Sequence, residues 1–479
     1  MKKVPLLFLL ALLFTSILTA QTLLTAQLLG SKTKQQLTAE FPILLFKNGV
    51  KYYKVTYLTP DVQGNSSVAS GLMVVPDNLA KTYPLLCYQH GTSSDKNDVP
   101  SLLNFESNLT MIFGGMGYLA VTPDYLGLGV SPGVHPYVHA DTEASVGVDM
   151  MRAAREFAET NGVFLNGQVF VTGYSQGGHA AMALHRELET ELSGEFSVTA
   201  AAPMSGPYSI GEVMRDFILS GEVYSRPAYL INTLISYQYV YGNLFTSFQD
   251  AFKPEYVDAI QQFYDGEIGL SVLNDELIAL LNSIEGASIP IKVVKDSLVE
   301  EIVNNPSHPV NLAMTLNNVY DWAPVAPTRL YYCKADDQVN YENSLVAEAA
   351  MQANGAANVD AIDVNPLFDH VQCVTPAMFG TIFFFQQYQQ IGDAPVSATW
   401  ERKSDLTVFP NPASDVFFIK NLPAQGTLRL FSLDGRVLRS IALSAGDAEV
   451  STNGLQNGLY LIEASGEFGV LRGKVFVNN

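Results

Sequence analysis

Apolar and polar positions follow two rhythms along the first half of the chain. Between about residues 50 and 200, the runs "YPLLCYQHG" and "YLAVTPDY" are continuously apolar and end in glycine or turn residues, as strands buried on both faces do. "KYYKVTYLTP" and "SSVASGLMVVP" precede them as an opening pair of strands. "DTEASVGVDMMRAAREFAETNG" then places Val146, Met150, Ala153, Ala154 and Phe157 at helical spacing, with acids at its front and Asn161-Gly162 at its end. That is the pattern of a crossover helix. "GQVFVTGYSQGGHAAMALHRELETELSG" continues with a strand, a glycine turn and a helix, and "FSVTAAAPMSGPY" supplies the next strand. The alternation predicts an α/β domain with a mostly parallel central sheet.

From about 206 to 310 the alternation stops. The segment is rich in Tyr, Phe, Leu and Ile at helical spacing, as in "VLNDELIALLNSI", and no strand is expected before "PTRLYYCKADD". A helical insertion placed as a cap over the strand ends fits this pattern. Its aromatics either face a binding groove or fill the insertion's own core. Near 390 the texture changes again. Residues 391–404 read as a linker, and 405–479 as short alternating strands joined by Asn-Pro, Asp-Gly and Asn-Gly turns, a small all-β sandwich.

A chain of 479 residues with this organisation holds more than one core. The first segment is an exception. Lys2 and Lys3 precede an apolar run from Pro5 to about Leu18, and Thr19-Ala20 ends it, so residues 1–20 read as a signal peptide and 21–390 as the α/β domain. The run is too short to cross a bilayer, and no later segment is expected to span one. With 27 basic and 47 acidic residues the formal net charge is -20, which disfavours nucleic acid and anionic lipid as partners. Three cysteines, Cys87, Cys333 and Cys373, give neither a disulfide scaffold nor a zinc signature. No metal or organic cofactor is expected.

Two stretches fit the G-x-S-x-G pattern of a nucleophile turn: "GVSPG" around Ser131 and "GYSQG" around Ser175. Such a turn needs a strand entering, a helix leaving, and a backbone N–H on the residue after the serine to hold the oxyanion. Pro132 has no N–H, and no strand or helix flanks Ser131. Ser175 follows "QVFVT", precedes "GHAAMALHRELETEL", and is followed by Gln176, which can donate. Ser175 is therefore the expected nucleophile.

A serine needs a base, and the base needs an acid, in the chain order Ser, acid, His. His90, His135 and His139 come too early, His179 and His185 lie on the helix after the turn, and His308 precedes any acid-bearing strand. His370 remains. Asp336 and Asp337 both follow the late strand "RLYYC". Either could serve; Asp336 is the choice, with its neighbour left to cap a helix. The second oxyanion donor is expected in "CYQHGTSS", at Thr92, with Gly91 as the alternate. If acid and base touch, Cys333 and Cys373 come close enough to bond; two separate buried thiols is the competing expectation, and the one adopted.

These residues resemble a known family. From about 50 to 390 the chain is similar to α/β-hydrolases, and "HGT", "TPDYLGLG", "HPYVHADTEASVGVDMMRAAREF", "GYSQGG" and "DDQV" resemble the secretory lipase and esterase branch that includes fungal secreted lipases. The D-x-x-V turn from Asp336 to Val339 supports Asp336, although Asn340 stands where that family commonly has proline. "DYLGLGVSPG" resembles a loop that borders the active site, so Asp124 and Tyr125 are expected to bind substrate. The tail, with "FPNPASD", "LFSLDGRVL" and "LQNGLYLIEASGEFGVLRGKVFV", resembles the C-terminal sorting domain of the type IX secretion system of Bacteroidota. The resemblance implies a chain that is secreted or at the cell surface, with that machinery as the partner of residues 405–479 and a small-molecule or lipid ester as substrate. The expected activity is cleavage of carboxylic esters by a Ser175, Asp336, His370 triad through an acyl-enzyme. Two alternatives stand beside it: a prolyl-peptidase-like serine peptidase, for which no dedicated anchor for a charged terminus is visible, and a non-catalytic cell-surface binding protein, which would have no need of all three triad residues.

Overall fold

The computed structural model describes residues 22–395 and, in the tail, 406, 408–422, 424–432, 436–466 and 469–478. The expected signal peptide and most of the expected linker lie outside these residues. The described residues fall into two compact units, one ending at Ala394 and one beginning at Pro395.

The first unit is built on one twisted sheet. Its strands are β1 (Leu23–Lys32), β2 (Val50–Pro60), β3 (Ser66–Pro76), β4 (Lys81–Gln89), β5 (Leu119–Pro123), β6 (Phe164–Tyr174), β7 (Val198–Met204), β8 (Thr328–Tyr332), β9 (Val359–Asp363) and the two-residue β10 (Gly392–Asp393). They lie in the order β1-β2-β3-β5-β4-β6-β7-β8-β9, with β10 paired to the start of β4. β1, β2, β3 and β5 pair antiparallel, and from β5 to β9 every neighbour is parallel. This is the expected α/β-hydrolase sheet.

Alternation along the strands explains the layers. Leu86 and Tyr88 of β4 face a core with Phe113 and Phe385, while Leu85 and Cys87 face another with Met150, Phe157 and Leu184. Helices α1 (Lys34–Glu40), α2 (Ser107–Gly115), α3 (Ala140–Asn161) and α4 (Gln176–Thr190) come from the first half of the chain, and α12 (Glu342–Ala353) and α13 (His370–Gln386) from the end. α2 and α13 cover one face; α3 and α4 cover the other. Each large side chain sealed this way contributes about 1.5–3 kcal/mol of transfer free energy.

Between β7 and β8 lies the helical insertion. It contains α5 (Arg215–Leu219), α6 (Pro227–Tyr241), α7 (Phe248–Ala251), α8 (Pro254–Tyr264), α9 (Leu270–Ile284), α10 (Asp296–Asn304) and α11 (Pro309–Leu316). It has a core of its own, with Tyr237, Phe252, Tyr256, Leu273 and Leu277 all sealed from solvent. Part of its aromatic content is thus structural.

β1 escapes the sequence pattern because it is a half-exposed edge strand without strict alternation. Two N–H groups at its start, of Thr22 and Leu23, donate to the Glu156 carboxylate at 2.7 and 3.0 Å. The expected boundary at 390 also shifts. Gly392 and Asp393 join β4, and Asp393 pairs with Lys81 at 2.6 Å, so the first unit runs on to Ala394.

The second unit is all β. Strands β11 (Val408–Phe409), β12 (Val416–Leu422) and β15 (Gly446–Ser451) form one antiparallel sheet, in the order β11-β12-β15. Strands β13 (Gly426–Phe431), β14 (Val437–Leu443), β16 (Gly458–Gly466) and β17 (Gly469–Val477) form the other, in the order β14-β13-β16-β17. Phe417 and Ile419 of the first share one core with Leu428, Leu430 and Ile462 of the second, which makes the pair a sandwich.

Candidate active site

The C-terminal ends of β4 to β8 open on one edge of the sheet, and the expected residues gather there. β6 ends at Tyr174 and α4 begins at Gln176, so Ser175 alone makes the turn, at φ 62° and ψ -123°. For a residue with a side chain this is a strained backbone, held by the strand and helix on either side. The flanking glycines are obligatory on steric grounds. A Cβ on Gly173 would come within 2.1 Å of the Gly177 carbonyl oxygen, and one on Gly177 within 2.0 Å of the Gln89 carbonyl oxygen.

His370 opens α13. Its Nδ1 lies 2.7 Å from Oδ2 of Asp336, and both side chains are nearly sealed from solvent. The other Asp336 oxygen accepts the N–H groups of Gln338 and Val339 at 3.0 and 2.9 Å, so the carboxylate is oriented by the D-x-x-V turn itself. Asp337 has a different partner. Its Oδ1 accepts the backbone N–H of His370 at 3.2 Å, capping α13 rather than the next helix in sequence. Asp369 completes that cap by accepting from Gln372. Cys333 and Cys373 form a disulfide with Cα atoms 5.9 Å apart, so the expectation of separate thiols gives way to a covalent brace between the acid loop and α13. Cys87 stays free and buried, and burial pushes its thiol pKa upward.

The "HGT" loop passes close to the elbow. A Cβ built on Gly91 would be 3.9 Å from Cβ of Ser175. The Glu106 carboxylate flanks this loop, 3.3 Å from where a Gly91 Cβ would stand, and accepts the Tyr88 hydroxyl at 2.5 Å; burial pushes the Glu106 pKa up. Thr92 comes next in the loop, its hydroxyl 3.0 Å from the Tyr137 hydroxyl. On the other side, Gln176 is the first residue of α4, so its N–H has no acceptor one turn back and sits at the positive end of the helix dipole.

Asp124 and Tyr125 do not take the expected substrate-binding position. Asp124 is fully buried, accepting from Ser70 Oγ at 2.5 Å and from the Ser101 N–H at 3.0 Å. Tyr125 is 1% exposed and donates its hydroxyl to the His90 carbonyl at 2.9 Å. Neither reaches the wall of the cavity beside Ser175. They hold the loop in place, and Ser131, also fully buried, belongs to the same scaffold.

A cavity runs from Ser175 and Gln176 into the insertion. Its walls are largely aliphatic, with Ile210, Ile218, Leu234, Val310 and Met314 among them, and Tyr137, Tyr224 and Tyr229 add rings. The insertion also touches the acid loop, since the Tyr224 hydroxyl donates to the Gln338 carbonyl at 2.7 Å. Sequence reasoning does not single out these tyrosines: it leaves the insertion's aromatics, Tyr224 and Tyr229 among them, open between a groove and a core, and Tyr137 lies before the insertion. Among the described residues no group of three or more His, Cys, Asp or Glu is arranged to hold a metal ion.

Buried charge beneath the elbow also escapes the sequence reading. Glu143, 1% exposed, lies 2.6 Å from Nδ1 of His179 and 2.9 Å from Nε2 of Gln176. A signal exists: Glu143 stands three and seven residues before Val146 and Met150, on the apolar stripe of α3, where an acid must find a partner.

Comparison with known proteins agrees with this architecture. No curated protein matches the chain in sequence. In structure it is similar to a ligand-bound form of the rice cell wall degrading esterase LipA from Xanthomonas oryzae, at 28% identity and a TM-score of 0.69, covering 77% of this chain and 98% of that one. A protein from Legionella pneumophila described as a hydrolase has the same identity and coverage, with a TM-score of 0.70. Candida antarctica lipase A in its closed state, at 12% identity and a TM-score of 0.58 over 77% of this chain and 82% of that one, shares the fold. Residues 407–478 match the model of the secretion system C-terminal sorting domain. Residues 101–375, more than half of the chain, match the model of the secretory lipases, and the protein belongs to that family.

Proposed function

We propose that this protein is a secreted serine esterase that uses Ser175 as nucleophile, His370 as general base and Asp336 as the acid that orients the base. The observation that carries this reading is the 2.7 Å contact of His370 Nδ1 with Asp336 at the edge of the sheet where the Ser175 elbow stands. With Nδ1 engaged, Nε2 is the ring nitrogen left to take the serine proton.

Attack of Ser175 Oγ on the ester carbonyl forms a tetrahedral oxyanion. The N–H groups of Gln176 and Thr92 would hold it, Thr92 following Gly91 in the loop that passes beside the elbow. The imidazolium then protonates the leaving alcohol, and water hydrolyses the acyl-enzyme by the same path. The aliphatic cavity beside Ser175 suits the acyl chain, because burying methylenes there is favourable and few polar groups compete. The sorting domain fits delivery through the type IX secretion machinery.

The test is hydrolysis of p-nitrophenyl esters from acetyl to palmitoyl. Ser175→Ala is expected to lose at least about 10³-fold in kcat, and Ser131→Ala to stay within about twofold. Full activity in Ser175→Ala, or cleavage of proline amides with no ester cleavage, would overturn the reading.

A further inference from the structure

The polar groups beneath the elbow form a closed chain whose protons can be placed. His135 Nδ1 lies 2.9 Å from the carbonyl oxygen of Leu126, which can only accept, so Nδ1 carries the hydrogen. Burial holds the pKa of His135 down at about 4, so Nε2 is a bare acceptor near neutral pH. Gln176 Nε2 sits 2.9 Å from that nitrogen and 2.9 Å from Glu143 Oε1. Both partners accept, which fixes the amide orientation and uses both of its hydrogens. Beyond Glu143, Oε2 is 2.6 Å from His179 Nδ1, and His179 Nε2 is 2.8 Å from the carbonyl oxygen of Asn317. That carbonyl also only accepts, so Nε2 holds a hydrogen and a second proton lies between the imidazole and the carboxylate.

Gln176 is thus clamped from two sides by groups nearly sealed from water. The same residue supplies the N–H assigned above to the oxyanion. We propose that Glu143 is a positioning residue for catalysis, which fixes the Gln176 amide and through it the direction of the Gln176 backbone N–H, with His179 holding the other Glu143 oxygen. The proposal rests on the esterase reading and on Gln176 as oxyanion donor. Physically, the elbow residue is strained, and an unclamped first turn of α4 can relax that strain by rotating the peptide that carries the N–H. Misdirection of a donor by a fraction of an ångström weakens its bond to the transition state while leaving the aliphatic cavity, and therefore substrate binding, intact.

The experiment compares Glu143→Ala, Glu143→Gln, Gln176→Met, the Glu143→Ala/Gln176→Met double variant and Ser175→Ala. The probe is p-nitrophenyl butyrate, and kcat is expressed per serine labelled by a fluorophosphonate. Glu143→Ala and Gln176→Met are each expected to lose about 10- to 100-fold in kcat with KM within about twofold, and the double variant to lose no more than either. Glu143→Gln can accept from Gln176 and donate to His179 Nδ1 in its neutral form, so it is expected to restore most of the kcat lost in Glu143→Ala. A purely structural role would lower the melting temperature and the labelled fraction, with kcat per labelled serine unchanged. That result, or multiplying losses in the double variant, overturns the proposal. If Glu143→Ala does not fold, Gln176→Met decides by the same split between kcat and KM. Labelling or activity in Ser175→Ala would instead sink the esterase reading itself.

Discussion

Asp337 accepts the backbone N–H of His370, while its neighbour Asp336 holds the ring of the same residue. Two adjacent carboxylates thus serve one histidine in different ways. Asp336→Asn is expected to lower kcat by about 10³- to 10⁴-fold, because an amide can stabilise the wrong tautomer and cannot balance the imidazolium. Asp337→Asn keeps an acceptor for the N–H and is expected to cost no more than about fivefold. Steady-state kinetics on one ester distinguishes the two; equal losses would mean that the ring contact does not set the role.

The Cys333–Cys373 bond closes 40 residues of sequence. Loop-closure entropy alone gives roughly 4 kcal/mol for that length, an upper figure where the unfolded chain keeps structure. Replacing both cysteines with alanine should lower the melting temperature and reduce activity as the acid loop separates from α13. Calorimetry with and without reductant checks the first part; an unchanged transition would contradict it.

Ile218 lines the aliphatic cavity. Ile218→Trp is expected to cut hydrolysis of octanoyl and longer esters by about tenfold or more while acetyl ester turnover stays within about threefold, because the added ring occupies space that only a long chain needs. A uniform loss across chain lengths would place the acyl group elsewhere.

Burial holds the pKa of His90 down at about 4, against an ordinary value of 6.5, and the side chain is 1% exposed. The unfolded chain therefore takes up a proton near pH 6.5 that the folded chain refuses until about pH 4. Between those values the unfolded state binds more protons, so stability falls as pH falls, by on the order of 3 kcal/mol for this residue. His135 is shifted in the same direction. Urea unfolding at pH 7 and pH 4.5 should show this loss, and His90→Gln should show a smaller one; an equal loss in the variant would remove His90 from the account.

How far the sequence reaches depends on whether a feature is local. β4, β5 and β6 and the turn at Ser175 are legible because their cues, apolar runs and glycines, sit within ten residues of one another. The edge strand β1 is not, since its pairing with β2 stabilises it more than its own pattern does. The disulfide and the Glu143 to Asn317 chain join residues 40 to 174 positions apart, and no short window contains both ends. Asp124 and Tyr125 mislead for a related reason: a loop that borders a site can turn its polar groups inward to hold its own shape.

The short strand β10 lies against Lys81 and Thr82, where β4 begins, while the "HGT" loop leaves from the other end of that strand. The main chain of the hydrolase unit therefore departs from the blunt side of the sheet, a strand's length from the serine. Fraying of β10 would therefore loosen the edge of the sheet remote from Ser175 and leave the elbow in place.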